Sequence, residues 1–403
     1  MKIKFCRSCK KPNLIKVYSL GKLSLTGIFP SNKNENVTRG ELSLVICKNC
    51  KLLQLEHNFD ANEMYGDNYG YMSSLNKSMV AHLKLKSLNL KNRYNLKSKD
   101  FILDIGSNDG TFLSFFNNKF KLYGCDPTIK KFKNSYRKDI NQMPIFFSSE
   151  YFKDKKFKLI SSISMFYDLP DPVDFAKQIH SILSDKGIWH IELSYMPMMI
   201  KNTSYDTICH EHLEYYSLKS LKYLLDKTDF KIINLSFNQI NGGSIELDIA
   251  KKNSSFKECK DLIRWVLESE RSNKYNDIKK LKKFFKECQN HKIMLKKLLV
   301  TLKKQKKKVL GYGASTKGNV LLQYCKINSK HLNCILEINK FKFNKFTPGT
   351  NIKIISEKEA KLKKPDYLLV LPWHFKDYII TREKKFLKNG GKLIFPLPDI
   401  EII

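Results

Sequence analysis

Eight consecutive residues, Cys209-His210-Glu211-His212-Leu213-Glu214-Tyr215-Tyr216, gather two imidazoles, two carboxyls, two phenols and a thiol. An imidazole of ordinary pKa, ~6.5, is suited to take a proton near neutral pH, and a neighbouring carboxylate can orient it. The two histidines are two apart, so this is not the H-E-x-x-H pattern of a helical zinc site. In an extended chain His210 and His212 share one face and Glu211 turns away. Taken alone, the segment fits a general base, a metal site or surface polar residues equally well.

Three other groupings carry chemistry. In Phe101–Leu113, F-I-L-D-I-G-S-N-D-G-T-F-L, an apolar run ends in a glycine turn and a helix start. Gly106 and Gly110 permit close backbone approach, with Asn108 between them. Asp104 or Asp109 can meet a positively charged amino group. The G-x-G-x-x-G spacing of a dinucleotide site is absent, so the turn suits the methionine moiety of S-adenosylmethionine better than a pyrophosphate. The next run, Leu122–Cys125, ends in Asp126, about 20 residues after the turn, where a ribose diol is expected. A simple turn with no cofactor is the bland alternative. The second grouping is Lys308–Asn319, again an apolar run, then Gly311, Gly313, Lys317 and Asn319. It does not fit a Walker A loop. Backbone N–H groups at the helix start, with Lys317, would suit a diphosphate, although a structural tight turn explains it equally. Asn241-Gly242-Gly243-Ser244 reads as a plain loop into a strand at 245–250.

The third grouping is Cys6-x-x-Cys9 with Cys47-x-x-Cys50. Two such hairpins can close a tetrahedral four-thiolate site for Zn2+, with no open position for substrate, so the ion is structural. The 37 residues between the pairs demand a long loop, whose entropy cost grows only slowly with length.

These groups need elements to hold them. Strand-like runs at 42–46 and 52–55 flank the second cysteine pair, in a segment too small to stand without a staple. A helix is expected at about 75–90, after the tyrosine-rich run 65–74. Strands are expected at 101–105, 122–126, 144–147, 159–165 and 187–193. From 256 to 308 the apolar spacing is helical. A second strand, glycine turn and helix begins at 308, with strands near 333–338, 367–371 and 392–395. Ligands bind at the carboxyl ends of such strands.

Composition narrows the class. The 403 residues suggest two or three domains. A hydrophobic share of 42% excludes wholesale disorder. No run approaches a membrane helix, and the start lacks a signal-peptide pattern, so a cytoplasmic location is the default. Lys+Arg of 73 against Asp+Glu of 39 gives +34, which invites a nucleic-acid reading. Yet only seven of these are arginine, the residue of choice for forked phosphate contacts. The lysines are spread along the whole chain, as an AT-rich genome would produce. No nucleic-acid or membrane partner is expected, and the charge favours small phosphorylated ligands at least as well.

In order along the chain stand the four cysteines, D-I-G-S-N-D-G, S-M-F-Y-D-L-P-D-P, Y-D-T-I-C-H-E-H-L-E-Y-Y-S, N-G-G-S and G-Y-G-A-S-T-K-G-N. This order resembles the three-domain, zinc-containing, S-adenosylmethionine-dependent sugar C-methyltransferases over essentially the entire chain. The resemblance implies an α/β protein of three domains. These are a small zinc-binding domain (1–65), a Rossmann-like class I methyltransferase domain (66–300) and a C-terminal Rossmann-like domain for a nucleotide-sugar (301–403). It implies His212 as base with Glu211 holding it, and Tyr71, or Tyr69, lining the sugar site. His210, Tyr215, Gly311, Gly313, Lys317 and Asn319 would contact substrate. The cofactor would rest on Asp104, Gly106, Asn108, Asp109, Gly110 and Asp126. Some relatives have histidine at Asp168, tyrosine at Cys209, and arginine just after Gly-Gly-Ser, where this chain has Ile245-Glu246. The implied chemistry is removal of a proton beside a ketone, then attack of the enolate carbon on a sulfonium methyl. An O- or N-methyltransferase of another small metabolite is the alternative, and it leaves the C-terminal unit unexplained. A non-enzymatic binding module leaves Cys209–Ser217 unexplained.

Overall fold

A computed structural model describes residues 1–66 and 69–403. Asp67 and Asn68 of the tyrosine-rich segment lie outside the described residues. Three sheets organise the chain. The first is an antiparallel meander of β1 (Leu14–Ser24), β2 (Arg39–Cys47) and β3 (Leu53–Leu55). Its fourth strand comes from far along the chain: β9 (Glu214–Tyr215) pairs with β3. The end of the histidine-rich segment is thus part of the N-terminal sheet.

The period-2 alternation of Leu42, Leu44 and Ile46 aims them at one face. That face packs on the helix Ile278–Lys304, whose buried residues include Leu281, Phe285 and Cys288. Tyr18 stacks on Phe285 with ring centroids 4.3 Å apart. The helix runs through residue 300, and the same buried cluster continues into the C-terminal sheet. Truncating Phe285 to alanine is expected to cost about 3–5 kcal/mol, the usual range for a large core aromatic. Chemical denaturation of the cofactor-free protein measures it.

The second sheet has the order β6-β5-β4-β7-β8-β11-β10. These strands are β4 (Phe101–Ile105), β5 (Lys121–Cys125), β6 (Asn141–Met143), β7 (Phe157–Ile163), β8 (Leu183–Ser194), β10 (Phe230–Asn238) and β11 (Ser244–Lys251). Only β11 runs against its neighbours. From β4 the chain winds one way to β5 and β6, and the other way to β7 and β8. The resulting crevice opens at the carboxyl end of β4, the switch point where ligands bind in doubly wound sheets. The strand expected at 144–147 instead occupies Asn141–Met143. Pro144 has no N–H to continue the ladder, so residues 145–147 leave the sheet and wall the crevice.

The third sheet has the order β14-β13-β12-β15-β16-β17. Its strands are β12 (Val309–Tyr312), β13 (Cys334–Glu337), β14 (Lys353–Ser356), β15 (Tyr367–Val370), β16 (Lys392–Phe395) and β17 (Glu401–Ile402). All pairs are parallel except β16 with β17. Its switch point lies at the end of β12, just where Gly313 turns with φ +78°. Among the described residues no helix is long and apolar enough to cross a membrane.

Candidate active site

The crevice above β4 is a cavity of about 470 Å³. Asp104, Gly106, Asn108 and Asp126 stand on its wall. Gly106 has φ +75°, and a Cβ there would press on Met165 at 2.8 Å. Asp126 closes β5 and accepts from the Asn108 N–H at 2.9 Å and the Thr128 N–H at 2.7 Å. Oδ1 also accepts from the Thr128 hydroxyl at 2.6 Å, so Oδ2 is the oxygen that keeps lone-pair capacity for a diol. Asp104 is buried beneath the turn and accepts from the Ser161 hydroxyl at 2.6 Å. Burial pushes its carboxyl up to about 7, against the pull of that hydroxyl. This wall fits S-adenosylmethionine: carboxylates for a diol and an ammonium, a glycine cradle, and apolar Phe147 and Met165 for an adenine face.

Asp109 and Gly110 are not on that wall. Asp109 accepts from the Thr111 hydroxyl at 2.6 Å and the Ser74 N–H at 2.9 Å. It therefore ties the tyrosine segment to the turn. Asn108 does the same, exchanging bonds with Ser73 and Tyr71 at 3.1 Å each. Gly110 is needed because a Cβ would meet Tyr136 at 2.8 Å, with φ +76°. From the far side, Asn339 donates to the Gly70 carbonyl at 2.9 Å. The segment so held bridges the two doubly wound sheets. Tyr71 borders the first cavity and also a second, of about 210 Å³, at the ends of β12 and β13. Gly313 lines this second cavity, whereas Gly311 is packed inside the sheet against Ile335.

The histidine segment adopts neither a helix nor a regular strand before β9. His210 and His212 consequently do not share a face. His210 turns into the N-terminal sheet, with Nε2 3.3 Å from the Gly40 carbonyl and its ring edge-on to Phe59. Glu211 accepts from the Thr26 hydroxyl at 3.1 Å and lies against Gly27, where an added Cβ would be 2.6 Å from Oε1. Nothing in this geometry has Glu211 holding His212. The ring is held instead by the Thr207 carbonyl, 2.9 Å from Nδ1. A carbonyl only accepts, so Nδ1 carries the hydrogen and Nε2 offers its lone pair. Tyr167 packs on the ring at 4.3 Å. Burial, then the Lys317 charge, push His212 down to about 3, so the imidazole is neutral at ordinary pH.

Lys317 donates to the Asn241 carbonyl at 2.6 Å. Its opposing charge is Asp206, which accepts from the Trp373 indole at 2.8 Å. Asn319 is buried, donating to the Thr26 carbonyl at 2.8 Å, and so braces the strip that holds Glu211. Tyr215 is buried in β9 with no partner for its hydroxyl among the described residues. Glu246 pairs with Lys86 at 2.8 Å, so the position after Gly-Gly-Ser is spent on an internal ion network. Sequence reasoning missed Asp206 and the adenine-side wall. Trp373, in the turn after β15 and donating to Asp206, was the available signal for the first.

Cys6, Cys9, Cys47 and Cys50 are buried with their ligand atoms all within 4.8 Å of one another. The Cys6–Cys50 and Cys9–Cys47 sulfurs are 3.5 and 3.4 Å apart, near the spacing of about 3.8 Å that four Zn–S bonds impose. The four thiols fit a closed zinc centre.

Family models match in the same order along the chain: a zinc binding domain over residues 6–65, a methyltransferase domain over 80–235, and a C-methyltransferase C-terminal domain over 239–398. Together the three matches follow one another along most of the chain in the order of a three-domain, zinc-containing C-methyltransferase. The chain is an S-adenosylmethionine-dependent enzyme. The C-methyltransferase NovU of Streptomyces niveus is 28% identical over 407 residues, covering 99% of this chain and 96% of NovU. The plantazolicin methyltransferase BpumL, solved with SAH and a desmethylPZN analog, is 15% identical with a TM-score of 0.34. That match spans 43% of this chain and 84% of BpumL. An S-adenosylmethionine-dependent methyltransferase from Clostridium acetobutylicum is 12% identical with a TM-score of 0.36, over 43% of this chain and 92% of its own.

Proposed function

We propose that this C-methyltransferase acts on a nucleotide-linked keto-deoxysugar, with His212 as the base that removes a proton beside the ketone. The supporting observation is the bridging tyrosine segment: Tyr71 walls both the cavity above β4 and the cavity above β12. Donor and a nucleotide-bearing acceptor can therefore meet at one place. Bound S-adenosylmethionine supplies an electrophilic methyl group. The chain's own residues do the rest. Asp126 takes the ribose and Asp104 the amino group. Neutral His212 accepts the proton at Nε2, and backbone or tyrosine donors meet the growing negative charge on the ketone oxygen. Lys317 meets the anionic acceptor. Pairing Lys317 with phosphate also removes the charge that opposes protonation of His212.

Incubation with S-adenosylmethionine and a panel of nucleotide-linked 4-keto sugars in D2O, read by mass spectrometry, tests this. Methyl gain on a keto sugar supports it. With S-adenosylmethionine shown to bind, absence of both methyl gain and deuterium uptake across the panel overturns it.

Two further results are expected. Lys317→Met removes a charge-assisted contact worth about 1.5–3 kcal/mol. It should raise the acceptor KM by roughly 10–100-fold without changing S-adenosylhomocysteine affinity. The second concerns Asp104, whose carboxyl is pushed up to about 7 by burial. A bound ammonium favours its ionised form, so cofactor binding releases a proton. Affinity should climb as pH rises from about 6 to 8, and titration calorimetry in two buffers should show the proton release. Asp104→Asn should flatten both.

A further inference from the structure

Asp168 ends the short turn after β7 and stands on the wall of the donor cavity beside Tyr65 and Tyr69. Its Oδ2 accepts from the Tyr65 hydroxyl at 2.8 Å. Its Oδ1 is buried without a partner among the described residues. A buried polar atom left this way is costly unless a ligand completes it. The His212 ring packs on Tyr167, the residue before Asp168, at 4.3 Å. The Tyr167 carbonyl also accepts from the Leu213 N–H at 2.8 Å. The base and this carboxyl are thus carried on one braced junction.

We propose that Asp168 is a further catalytic residue, whose carboxyl donates a hydrogen bond to the ketone oxygen of the acceptor as the adjacent C–H is deprotonated. The proposal rests on the keto-acceptor reading above. A ketone oxygen can only accept, so the carboxyl must keep its proton. Its surroundings enforce that. The groups facing it are the phenols of Tyr65, Tyr69, Tyr167 and Tyr215, the Cys209 thiol, and the carboxyls of Glu211 and Glu214. Burial and the nearby Glu211 push the Asp168 carboxyl well above the usual carboxylate range, against the Tyr65 bond. A buried carboxylic acid kept neutral is a known way to stabilise an enolate.

The step balances. The C–H electron pair becomes the C=C bond, the proton goes to His212 Nε2, and the carbonyl π pair moves to the oxygen held by Asp168. When the carbon takes the methyl group, the C–S bond breaks with its pair on sulfur. The carbonyl re-forms, Asp168 keeps its proton, and His212 loses one to solvent.

The test compares Asp168→Ala, Asp168→Asn and the unmodified enzyme. It reads deuterium exchange of the acceptor's α-proton with S-adenosylhomocysteine bound, so that no methyl moves. Loss of one such donor typically costs 10²–10³ in rate, and Asp168→Ala should lose about that at saturating S-adenosylhomocysteine, the condition that removes any effect of the shared cavity wall on affinity. Asp168→Asn keeps an uncharged donor and should retain above about a tenth of the exchange. The unmodified enzyme should slow as rising pH ionises Asp168, and Asp168→Asn should not. Exchange by Asp168→Ala at the unmodified rate overturns the proposal. So does an alkaline decline that persists in Asp168→Asn, which decides the matter even if the alanine variant fails to fold. If the unmodified enzyme exchanges no proton from any keto sugar, the keto-acceptor reading fails instead, and this proposal with it.

Discussion

Replacing His212 with alanine should lower methyl transfer by about 10²–10⁴-fold, the span that one positioned base contributes. S-adenosylhomocysteine affinity should not change, because its cavity wall does not include His212. The tautomer makes His212 a base. The Thr207 carbonyl claims the Nδ1 hydrogen, so Nε2 is a lone-pair acceptor before any ligand arrives. The low pKa has a consequence for pH profiles. In the free enzyme His212 stays neutral down to about 3, so an acid limb between about pH 5 and 7 must belong to another group. Asp104, acting through cofactor affinity, is the group expected to produce it. The same shift bears on stability. His210 and His212 are held down to about 4 and about 3 in the fold, against ~6.5 unfolded. Between those values the unfolded chain binds more protons, so stability falls as pH drops below ~6.5 and continues to fall toward 3. Exchange at intact S-adenosylhomocysteine binding separates the two effects. Full turnover in His212→Ala would remove it from the chemistry.

Some of the site was legible because local rules decide it. A strand ending in a glycine turn, followed by a second strand ending in an acid, forces Gly106 and Asp126 together at a switch point. The paired C-x-x-C hairpins are likewise a local statement. Asp109 misled because a turn acid reads the same whether it faces a ligand or its own backbone. Only the position of Ser74 shows which. The Glu211–His212 pair misled for a related reason. Adjacent side chains diverge unless the backbone bends, and here it delivers Glu211 to Thr26 and His212 to Thr207. Asp168 gained its environment from Tyr65, 103 residues earlier. The entry of β9 into the first sheet is a long-range pairing of the same kind. No periodicity reports such partners.

That pairing makes the zinc centre matter to the chemistry. Gln54, on β3, donates to the Cys6 sulfur at 3.1 Å. Arg7, between two ligand cysteines, is buried and donates to the Leu55 carbonyl at 2.7 Å. It also faces Glu214 at 3.6 Å, and the Leu55 N–H donates to the Leu213 carbonyl at 2.9 Å. Leu213 follows His212 directly. Chelating the zinc, or making Cys50→Ser, should therefore release the segment that carries the base. A structural zinc supplies about 10–16 kcal/mol in small zinc-dependent folds, and a meander this small has little else to hold it. Turnover and deuterium exchange should fall by at least about 10², as positioning losses do. S-adenosylhomocysteine should still bind in the cleft above β4. Arg7→Ala keeps all four thiolates, so its metal content should stay stoichiometric while kcat falls and cofactor affinity holds. Metal analysis, calorimetry and exchange on the two variants distinguish the steps. A zinc-free enzyme with undiminished exchange would mean that the first sheet positions nothing. A zinc-free enzyme that also lost S-adenosylhomocysteine binding would mean that the three sheets unfold as one body, as the buried cluster shared by β2, Phe285 and β12 would allow.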